Sequence, residues 1–277
     1  MMNPRRVKLL FLYIALLGLS AIFLMPFLWM FTTSLKGGED EIFTYPPQIF
    51  PKAWHFENYK YVLELYPWLT FLKNSVIITF LSTLGVVISS SMAAFAFATL
   101  RFRGRDKIFI LVISTMMIPY YTTLIPQYIL FAKLGWIDTL KPLWVPAFFG
   151  SAYFIFLLRQ FFKSIPIELF EAARIDGASI FQIFYKVYLP LARPAIITTI
   201  ILHFITAWSD FFGPLIYLQS EENYTLVLGL NSFRGMYYTS WHYLMAATIM
   251  VITPSIIVFL IGQRKIVGGI TLSGMKL

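Results

Sequence analysis

The amino-acid sequence predicts an all-α, multi-pass membrane protein built as one transmembrane domain over residues 1–277. Its mean hydropathy is +0.73, and only 13% of its residues are charged. A soluble domain of this length needs far more polar surface to cover its core. Six long stretches lack charge or nearly so, and they are continuously apolar rather than alternating, which favours membrane helices over barrel strands.

A hydrocarbon core about 30 Å thick requires roughly 20 helical residues, and six stretches approach or exceed that length. Their predicted bounds are 9–31, 74–100, 108–132, 142–160, 194–218 and 241–262. The fourth is the shortest, and it is expected to include Arg159 and Gln160 as an end that lies at the membrane interface. The first follows Arg5, Arg6 and Lys8, as a signal peptide would, but its apolar run is too long and no small-residue cleavage site follows. We therefore interpret it as a retained anchor.

The distribution of charge predicts the orientation. Placing the N-terminus in the cytoplasm puts fifteen of the 22 basic residues and four of the 13 acidic residues inside. Seven basic and eight acidic residues then lie outside, and Asp210 lies within a span. Because cytoplasmic loops carry an excess of Lys and Arg, both termini are predicted to be cytoplasmic. This bias explains the net charge of +9 without invoking nucleic acid.

The two longer outside loops differ in character. Residues 32–72 are rich in proline and aromatic residues and are expected to pack as a small irregular cap. Residues 219–240 form a second exposed loop, and a short turn surrounds Asp138. No internal repeat is evident, which weakens the inverted-repeat architecture of many secondary transporters.

A charged segment broken by glycine, residues 164–190, lies on the cytoplasmic side between the fourth and fifth spans; we call it the elbow. Pro166 and Glu168 are typical of a helix start, and Gly177 is typical of a left-handed helix stop. A second helix is expected at once, because Ser179 and Gln182 fit a capping box.

The second elbow helix is expected to have an apolar face. Ile180, Ile183, Phe184 and Val187 recur at the helical spacing, and Leu189–Pro190 is predicted to end the helix, because a residue before proline avoids the α conformation. Taken alone, this helix suits the membrane surface, where amphipathic helices lie on headgroups. The first helix is too acidic and too rich in alanine for an anionic surface, so docking to a protein is favoured there.

Three short motifs in the elbow carry a resemblance. They are Glu171-Ala172-Ala173, Asp176-Gly177-Ala178 and Leu189-Pro190, which together match the EAA signature of permease subunits of ATP-binding-cassette importers. Segments 89–105, 125–140, 157–179 and 207–218 also resemble the sugar-importer branch, typified by the smaller membrane subunit of maltose importers. The resemblance covers nearly the whole chain from about Phe56. Ser209 departs from it, since the family usually has Asn before the Asp-Phe pair.

The resemblance implies a type I importer permease fold with a cytoplasmic coupling helix, in a bacterial or archaeal cell membrane. It implies that the elbow docks into a cleft of an ATP-hydrolysing subunit, with Glu171 and Asp176 making polar contacts, Ala172 and Ala173 allowing close approach and Gly177 giving the bend. The implied partners are nucleotide-binding subunits, a second permease and an extracytoplasmic solute-binding protein. The tail, residues 263–277, contacts the ATPase in some members, and a disordered tail is an equal alternative.

One ionisable residue lies deep within a span. Asp210 is expected to face the bundle interior or water. A structural hydrogen bond to another helix is the first interpretation, with substrate contact and snorkelling to the interface as alternatives. Together with Trp208 and Ser209 it marks a possible translocation pathway. Pro119, Pro126 and Pro254 are expected to kink their helices, although prolines are also common in membrane helices.

The sequence argues against an enzyme. It has no phosphate-binding GxxxxGK[ST] loop, so ATP must be bound by another subunit. It has no cysteine, and its three histidines are scattered, which predicts no metal site, no cofactor and no catalytic set. The resemblance implies an importer permease for a sugar or oligosaccharide, and one for glycerol 3-phosphate or another small polar solute is the alternative. An ion-coupled secondary transporter would need more buried carboxylates than Asp210.

Overall fold

The computed structural model describes residues 4–235 and 239–274. Among these residues the backbone forms helices and turns, with one isolated antiparallel bridge between Arg234 and Thr239. The α-helices, in chain order, are α1 (Pro4–Ser34), α2 (Glu39–Ile42), α3 (Glu57–Leu65), α4 (Trp68–Thr99), α5 (Arg105–Ser114), α6 (Tyr120–Lys133), α7 (Lys141–Trp144), α8 (Ala152–Ser164), α9 (Glu168–Ile175), α10 (Ile180–Ile183), α11 (Leu189–Leu191), α12 (Arg193–Trp208), α13 (Phe212–Tyr217), α14 (Leu226–Gly229) and α15 (Trp241–Gly274). The 3₁₀ turns are Thr115–Met117, Val145–Phe149, Glu221–Asn223 and Leu230–Phe233, and Phe184–Tyr188 is a π turn.

Several helices are long and apolar enough to cross a membrane. Four candidate spans are Lys8–Ser34, Trp68–Thr99, Lys141–Ser164 and Trp241–Gln263. Counting each of two sharply bent helix pairs as one span raises the number within the described residues to as many as six. The prediction of an all-α, multi-pass membrane protein is thus confirmed, whereas the third and fifth predicted spans are not single continuous helices.

The third predicted span, 108–132, is broken in its middle. Arg105–Met117 and Tyr120–Lys133 meet at an angle of 97°. Ile118, just before Pro119, is extended with ψ 115°, as the steric demand of a following proline favours. The expected kink at Pro119 is confirmed, whereas α6 and α15 continue as helices through Pro126 and Pro254.

The fifth predicted span also differs from the structure, whereas the fourth lies within the candidate span Lys141–Ser164. Its helix has a local break at Gly150, whose φ of 90° suits a residue without a side chain. The fifth, expected over 194–218, ends as a helix at Trp208, and a separate short helix, α13, follows. An apolar run does not reveal such breaks, because hydropathy measures composition and not the backbone hydrogen bonds. The sixth continues past its predicted end at 262 through Gly274, into the predicted tail, whose last residues, 275–277, lie outside the described residues.

The chain divides into two compact units, and the first comprises Met1–Trp68 and Gly229–Thr253. In it, α1 exposes apolar side chains such as Phe11 and Leu17. The predicted cap contains α2 and α3 and is tied down by polar contacts. The Lys36 ammonium is buried, donates to the carbonyl of Gln48 at 2.7 Å and lies 4.6 Å from the Trp29 ring centre.

The second unit, Leu69–Leu228 with Pro254–Leu277, contains the main hydrophobic core of the described residues. That core is built from α4, α5, α8, α12 and the second half of the elbow. Its buried side chains are Ala94, Phe95, Phe97, Phe109, Ile155, Leu158, Phe161, Phe162, Ile183, Phe184, Tyr188, Ala192 and Ala195. The elbow is therefore part of the core of this unit and not a loop beside it.

Candidate functional site

The first elbow helix, α9, ends as the sequence predicts. Gly177 has φ 81°, a left-handed conformation that glycine adopts without steric cost. Its N–H donates to the carbonyl of Arg174 at 3.1 Å, and the Ala178 N–H donates to the carbonyl of Ala173 at 3.0 Å. These two bonds satisfy carbonyls that the end of the helix would leave unpaired. The helix starts at Glu168, two residues after the predicted Pro166.

The second half of the elbow begins with the predicted capping box. The Ser179 N–H donates to Gln182 Oε1 at 2.8 Å, and the Gln182 N–H donates to Ser179 Oγ at 3.2 Å. The predicted end of the second elbow helix at Leu189–Pro190 is wrong. The helical segment continues through the π turn into α11, which ends at Leu191. The wider π turn accommodates the missing N–H and the ring of Pro190. A bend of 78° then leads into α12.

The predicted coupling residues divide between two faces of the elbow. Glu171, Ala172, Asp176, Gly177 and Pro190 are exposed, whereas Ala173, Ala178 and Leu189 are half-buried against the core. The exposed face also presents large apolar side chains: Ile175 is 86% exposed, Phe181 65% and Tyr185 64%. Apolar side chains beside carboxylates are suited to a protein partner more than to an anionic lipid surface.

On the opposite face of the elbow, three of its aromatic rings pack against one ring of α4 and one of α8. We call these five rings the aromatic cluster. Phe95 of α4 lies at its centre, with ring centroids 5.2 Å from Phe184, 5.0 Å from Tyr188 and 6.3 Å from Phe162. Phe170 of α9 completes it, 6.4 Å from Phe95. Such aromatic pairs contribute roughly 0.5–1.5 kcal/mol beyond the area they bury. The first half of the elbow is thus attached to α4 through Phe170, and the second half to α4 and α8 through Tyr188.

Sequence reasoning found only part of this buried face. Ile183, Phe184 and Val187 turn inward as their spacing predicts, but Ile180 is 44% exposed. Tyr188 is fully buried and was not among the predicted residues. The helical spacing could have identified Tyr188, because it lies four residues after Phe184 and eight after Ile180 and therefore on the same face.

Arg159, predicted to be an interfacial residue, is instead buried in the middle of α8. Its Nε donates to the carbonyl of Phe97 at 3.2 Å, its Nη2 donates to Asp106 Oδ1 at 3.3 Å, and its guanidinium lies 3.7 Å from the Phe109 ring centre. Asp106 Oδ1 also accepts a hydrogen bond from Arg105 Nε at 3.2 Å. No sequence signal separated this arginine from one at a membrane interface.

The possible pathway residues follow the end of α12. Asp210 Oδ1 accepts hydrogen bonds from the N–H groups of Phe212 at 3.1 Å and Gly213 at 3.2 Å, so it caps the start of α13. These two hydrogen bonds lie within its own segment, whereas the first interpretation from the sequence was a hydrogen bond to another helix. Trp208 is buried and its ring stacks on Phe204 at 5.5 Å, whereas Ser209 is exposed.

A polar anchor holds the loops at another part of the second unit, around Asp138, which has φ 59°. Its carboxylate accepts from the N–H groups of Gln219 at 2.9 Å and Ser220 at 2.8 Å, and from the Ser220 hydroxyl. Asn223 Nδ2 donates to the Asp138 carbonyl at 2.8 Å. These hydrogen bonds, led by those from Ser220, hold the pKa of Asp138 well below its usual range. The loop predicted to be exposed is therefore held by hydrogen bonds to the turn at Asp138.

Replacing Asp138 with asparagine is expected to loosen residues 219–224. The charged acceptor is lost, and a hydrogen bond to a charged group contributes about 1.5–3 kcal/mol, which partial exposure reduces to roughly 1–2 kcal/mol. Hydrogen exchange at the Gln219 and Ser220 amides is then expected to accelerate by about 5- to 30-fold at neutral pH. In the wild type the protection is present above the ordinary carboxyl pKa, and it is lost as pH falls through the lowered value. Glu221→Gln is the matched control, and equal exchange in both variants would contradict the anchor.

The sequence comparisons identify the type of protein. Residues 85–270 match the family model described as binding-protein-dependent transport system inner membrane component. The chain is 34% identical to the trehalose/maltose transport system permease protein MalG of Thermococcus litoralis, with 99% of each chain covered. It is 32% identical to the arabinooligosaccharides transport system permease protein AraQ of Bacillus subtilis, covering 93% of this chain and 92% of that one.

A solved structure agrees in fold. A chain of a bacterial ABC transporter that imports the acidic polysaccharide alginate superposes with a TM-score of 0.82 at 26% identity, covering 95% of this chain and 98% of that one. The likeness confirms the type I importer permease fold, and membership of a permease family confirms that the chain is not an enzyme. The chain belongs to the family of binding-protein-dependent transport system inner membrane components, the permease subunits of ABC importers.

Proposed function

We propose that this protein is a permease subunit of a sugar or oligosaccharide importer and forms half of its translocation pathway. The observation that carries the proposal is the two-sided elbow. One face exposes carboxylates and large apolar side chains, and the other is packed into the core that includes α4 and α8. Such a segment can receive force from a bound protein and pass it to the membrane helices. The names of the relatives, which concern arabinooligosaccharides, trehalose and maltose, support a sugar as the cargo.

The elbow is proposed to dock on a separate ATP-hydrolysing subunit. Glu171 and Asp176 are exposed and can accept hydrogen bonds or pair with basic side chains. Ala172 is exposed and small, which allows the partner to approach the α9 backbone. Ala173, Ala178 and Leu189 act on the inner side, where they keep the elbow seated on the core.

The proposed assembly contains two further kinds of partner. A second permease completes the pathway, and an extracytoplasmic solute-binding protein delivers the cargo. The charge bias supports cytoplasmic N- and C-termini, with the elbow on the same side as the ATPase, in a bacterial or archaeal cell membrane. ATP hydrolysis belongs to the separate subunits.

Uptake by the reconstituted importer tests the proposed cargo. The chain is coexpressed with its partner permease, ATPase and binding protein, purified and placed in proteoliposomes that contain ATP. Uptake of labelled maltose, trehalose or arabinotriose that requires both ATP and the binding protein is the expected result. Transport of glycerol 3-phosphate without any of these sugars would contradict the sugar proposal. Transport driven by an ion gradient without ATP would contradict an ABC permease.

A further inference from the structure

A short basic loop in the second unit joins α4 to α5. Residues 101–107 line a cavity of about 600 Å³, and Arg101, Arg103, Arg105 and Lys107 alternate along it. Arg101, Arg103 and Lys107 are exposed, and within the described part of the chain none of these three forms an ion pair. A concave surface with three unpaired cations favours an anionic ligand.

The one acidic residue of this loop, Asp106, is already occupied by two arginines. Its Oδ2 accepts a hydrogen bond from Arg105 Nη2 at 3.3 Å, and its Oδ1 accepts from both Arg105 Nε and Arg159 Nη2. The charge of Asp106 is therefore spent on the guanidinium groups beside it. The positive charge of Arg101, Arg103 and Lys107 stays available for a ligand from outside the chain.

An exposed apolar surface continues from the cations along α5. Lys107, Ile110 and Leu111 lie on one face of the helix, because residues three and four positions apart are neighbours. Ile110 and Leu111 are each 67% exposed, and both belong to the candidate membrane segment Arg105–Met117. The same face thus presents positive charge at the end of the segment and apolar side chains further along it. A phospholipid, with its phosphate above its acyl chains, has the complementary order.

We propose that residues 101–107 bind the phosphate of one anionic phospholipid, whose acyl chains lie along Ile110 and Leu111. A water-soluble protein does not reach these two side chains within the membrane, and a free phosphate leaves them uncovered. The elbow, on the same predicted side, exposes Glu171 and Asp176, which an anionic lipid surface repels. The lipid is therefore attracted to the loop and not to the elbow. The inference does not depend on the proposed cargo.

Native mass spectrometry of the full chain in a neutral detergent tests the site. The two probes are dioctanoyl phosphatidylglycerol and dioctanoyl phosphatidylcholine, which have the same acyl chains and differ in net charge. Phosphatidylglycerol is expected to saturate one site per chain and to bind at least tenfold more tightly than phosphatidylcholine. Its affinity is expected to fall as the ionic strength rises, because salt screens the attraction between exposed charges.

Neutralising the three unpaired cations is expected to remove the preference for the anionic lipid. The combined variant Arg101→Gln, Arg103→Gln, Lys107→Gln should bind phosphatidylglycerol at least tenfold more weakly and phosphatidylcholine unchanged. The matched control replaces three exposed lysines elsewhere in the chain with glutamine and so removes the same net charge. They are Lys52, Lys133 and Lys141. The control should bind phosphatidylglycerol within twofold of the wild type. If the combined variant does not fold, Arg103→Gln alone decides, with an expected loss of about threefold.

The apolar half of the site is tested separately. Ile110→Ser with Leu111→Ser is expected to weaken phosphatidylglycerol binding at least threefold, because the acyl chains lose their contacts. Glycerophosphoglycerol, the same headgroup without acyl chains, and inorganic phosphate are expected not to displace the lipid at equal concentration. Displacement by either would indicate a site for a soluble phosphate and overturn the lipid proposal. Equal affinity for the two lipids, binding of phosphatidylglycerol that does not saturate, or an equal loss in the control variant would also overturn it.

Discussion

Replacing Gly177 with proline, or Glu171 with lysine, is expected to abolish uptake while leaving membrane insertion intact. Proline fixes φ near −65°, whereas Gly177 has φ 81°, and proline removes the N–H that donates to the carbonyl of Arg174. The change therefore alters the angle between the two halves of the elbow. Reversing the charge of Glu171 places a cation on the exposed face that we propose contacts the ATPase, and like or unpaired charges at such contacts are costly.

Uptake into proteoliposomes and copurification of the ATPase measure both effects. Gly177→Asn is the matched control for the bend, because asparagine tolerates the left-handed conformation, and space for a Cβ is open at this position. Glu168→Lys is the control for the charge, since it lies on the same helix and is exposed. Wild-type transport and ATPase association in both test variants would refute the docking role of the elbow.

Phe95→Ala is expected to disconnect the elbow from the membrane helices. The ring is 4% exposed and contacts four other rings of the aromatic cluster, so its removal leaves a cavity that costs about 3–5 kcal/mol. We expect the complex to assemble and hydrolyse ATP, because the exposed face is untouched. Sugar uptake per ATP hydrolysed is expected to fall by tenfold or more.

The ratio of uptake to ATP hydrolysis, measured on the same proteoliposomes, distinguishes this loss of coupling from poor assembly. Met92→Ala, on the same helix but 47% exposed, should leave the ratio unchanged. Tyr188→Phe should also leave it unchanged or improve stability, because it keeps the ring and removes a buried hydroxyl that has no hydrogen-bond partner. Normal coupling in Phe95→Ala would show that force passes through another contact.

The features predictable from sequence were those determined by neighbouring residues. The capping box at Ser179 and the left-handed stop at Gly177 depend on a few adjacent residues, and both were predicted correctly. Composition and charge were enough to predict a membrane protein, because a chain this apolar needs lipid rather than water around most of its surface. The match of the elbow motifs to a known signature was enough for the family.

The features that escaped prediction depend on distant residues or on backbone geometry. Arg159 finds its carbonyl and carboxylate partners 62 and 53 residues away. The cap that Asp210 makes on α13 required a helix break inside an apolar run. The contacts of Asp138 with the loop after α13 join residues more than 80 positions apart.

Two sets of contacts in the second unit differ in stiffness: the hydrogen bonds that hold the loop to Asp138, and the aromatic cluster that holds the elbow to α4 and α8. The Asp138 anchor consists of short, directional bonds to backbone N–H groups, and these weaken steeply when their angles change. The aromatic cluster consists of ring contacts at varied tilts, which tolerate small sliding. If a bound partner displaces the elbow, the helices of this unit should therefore rotate about the Asp138 hydrogen bonds. The largest displacement is expected at the aromatic cluster.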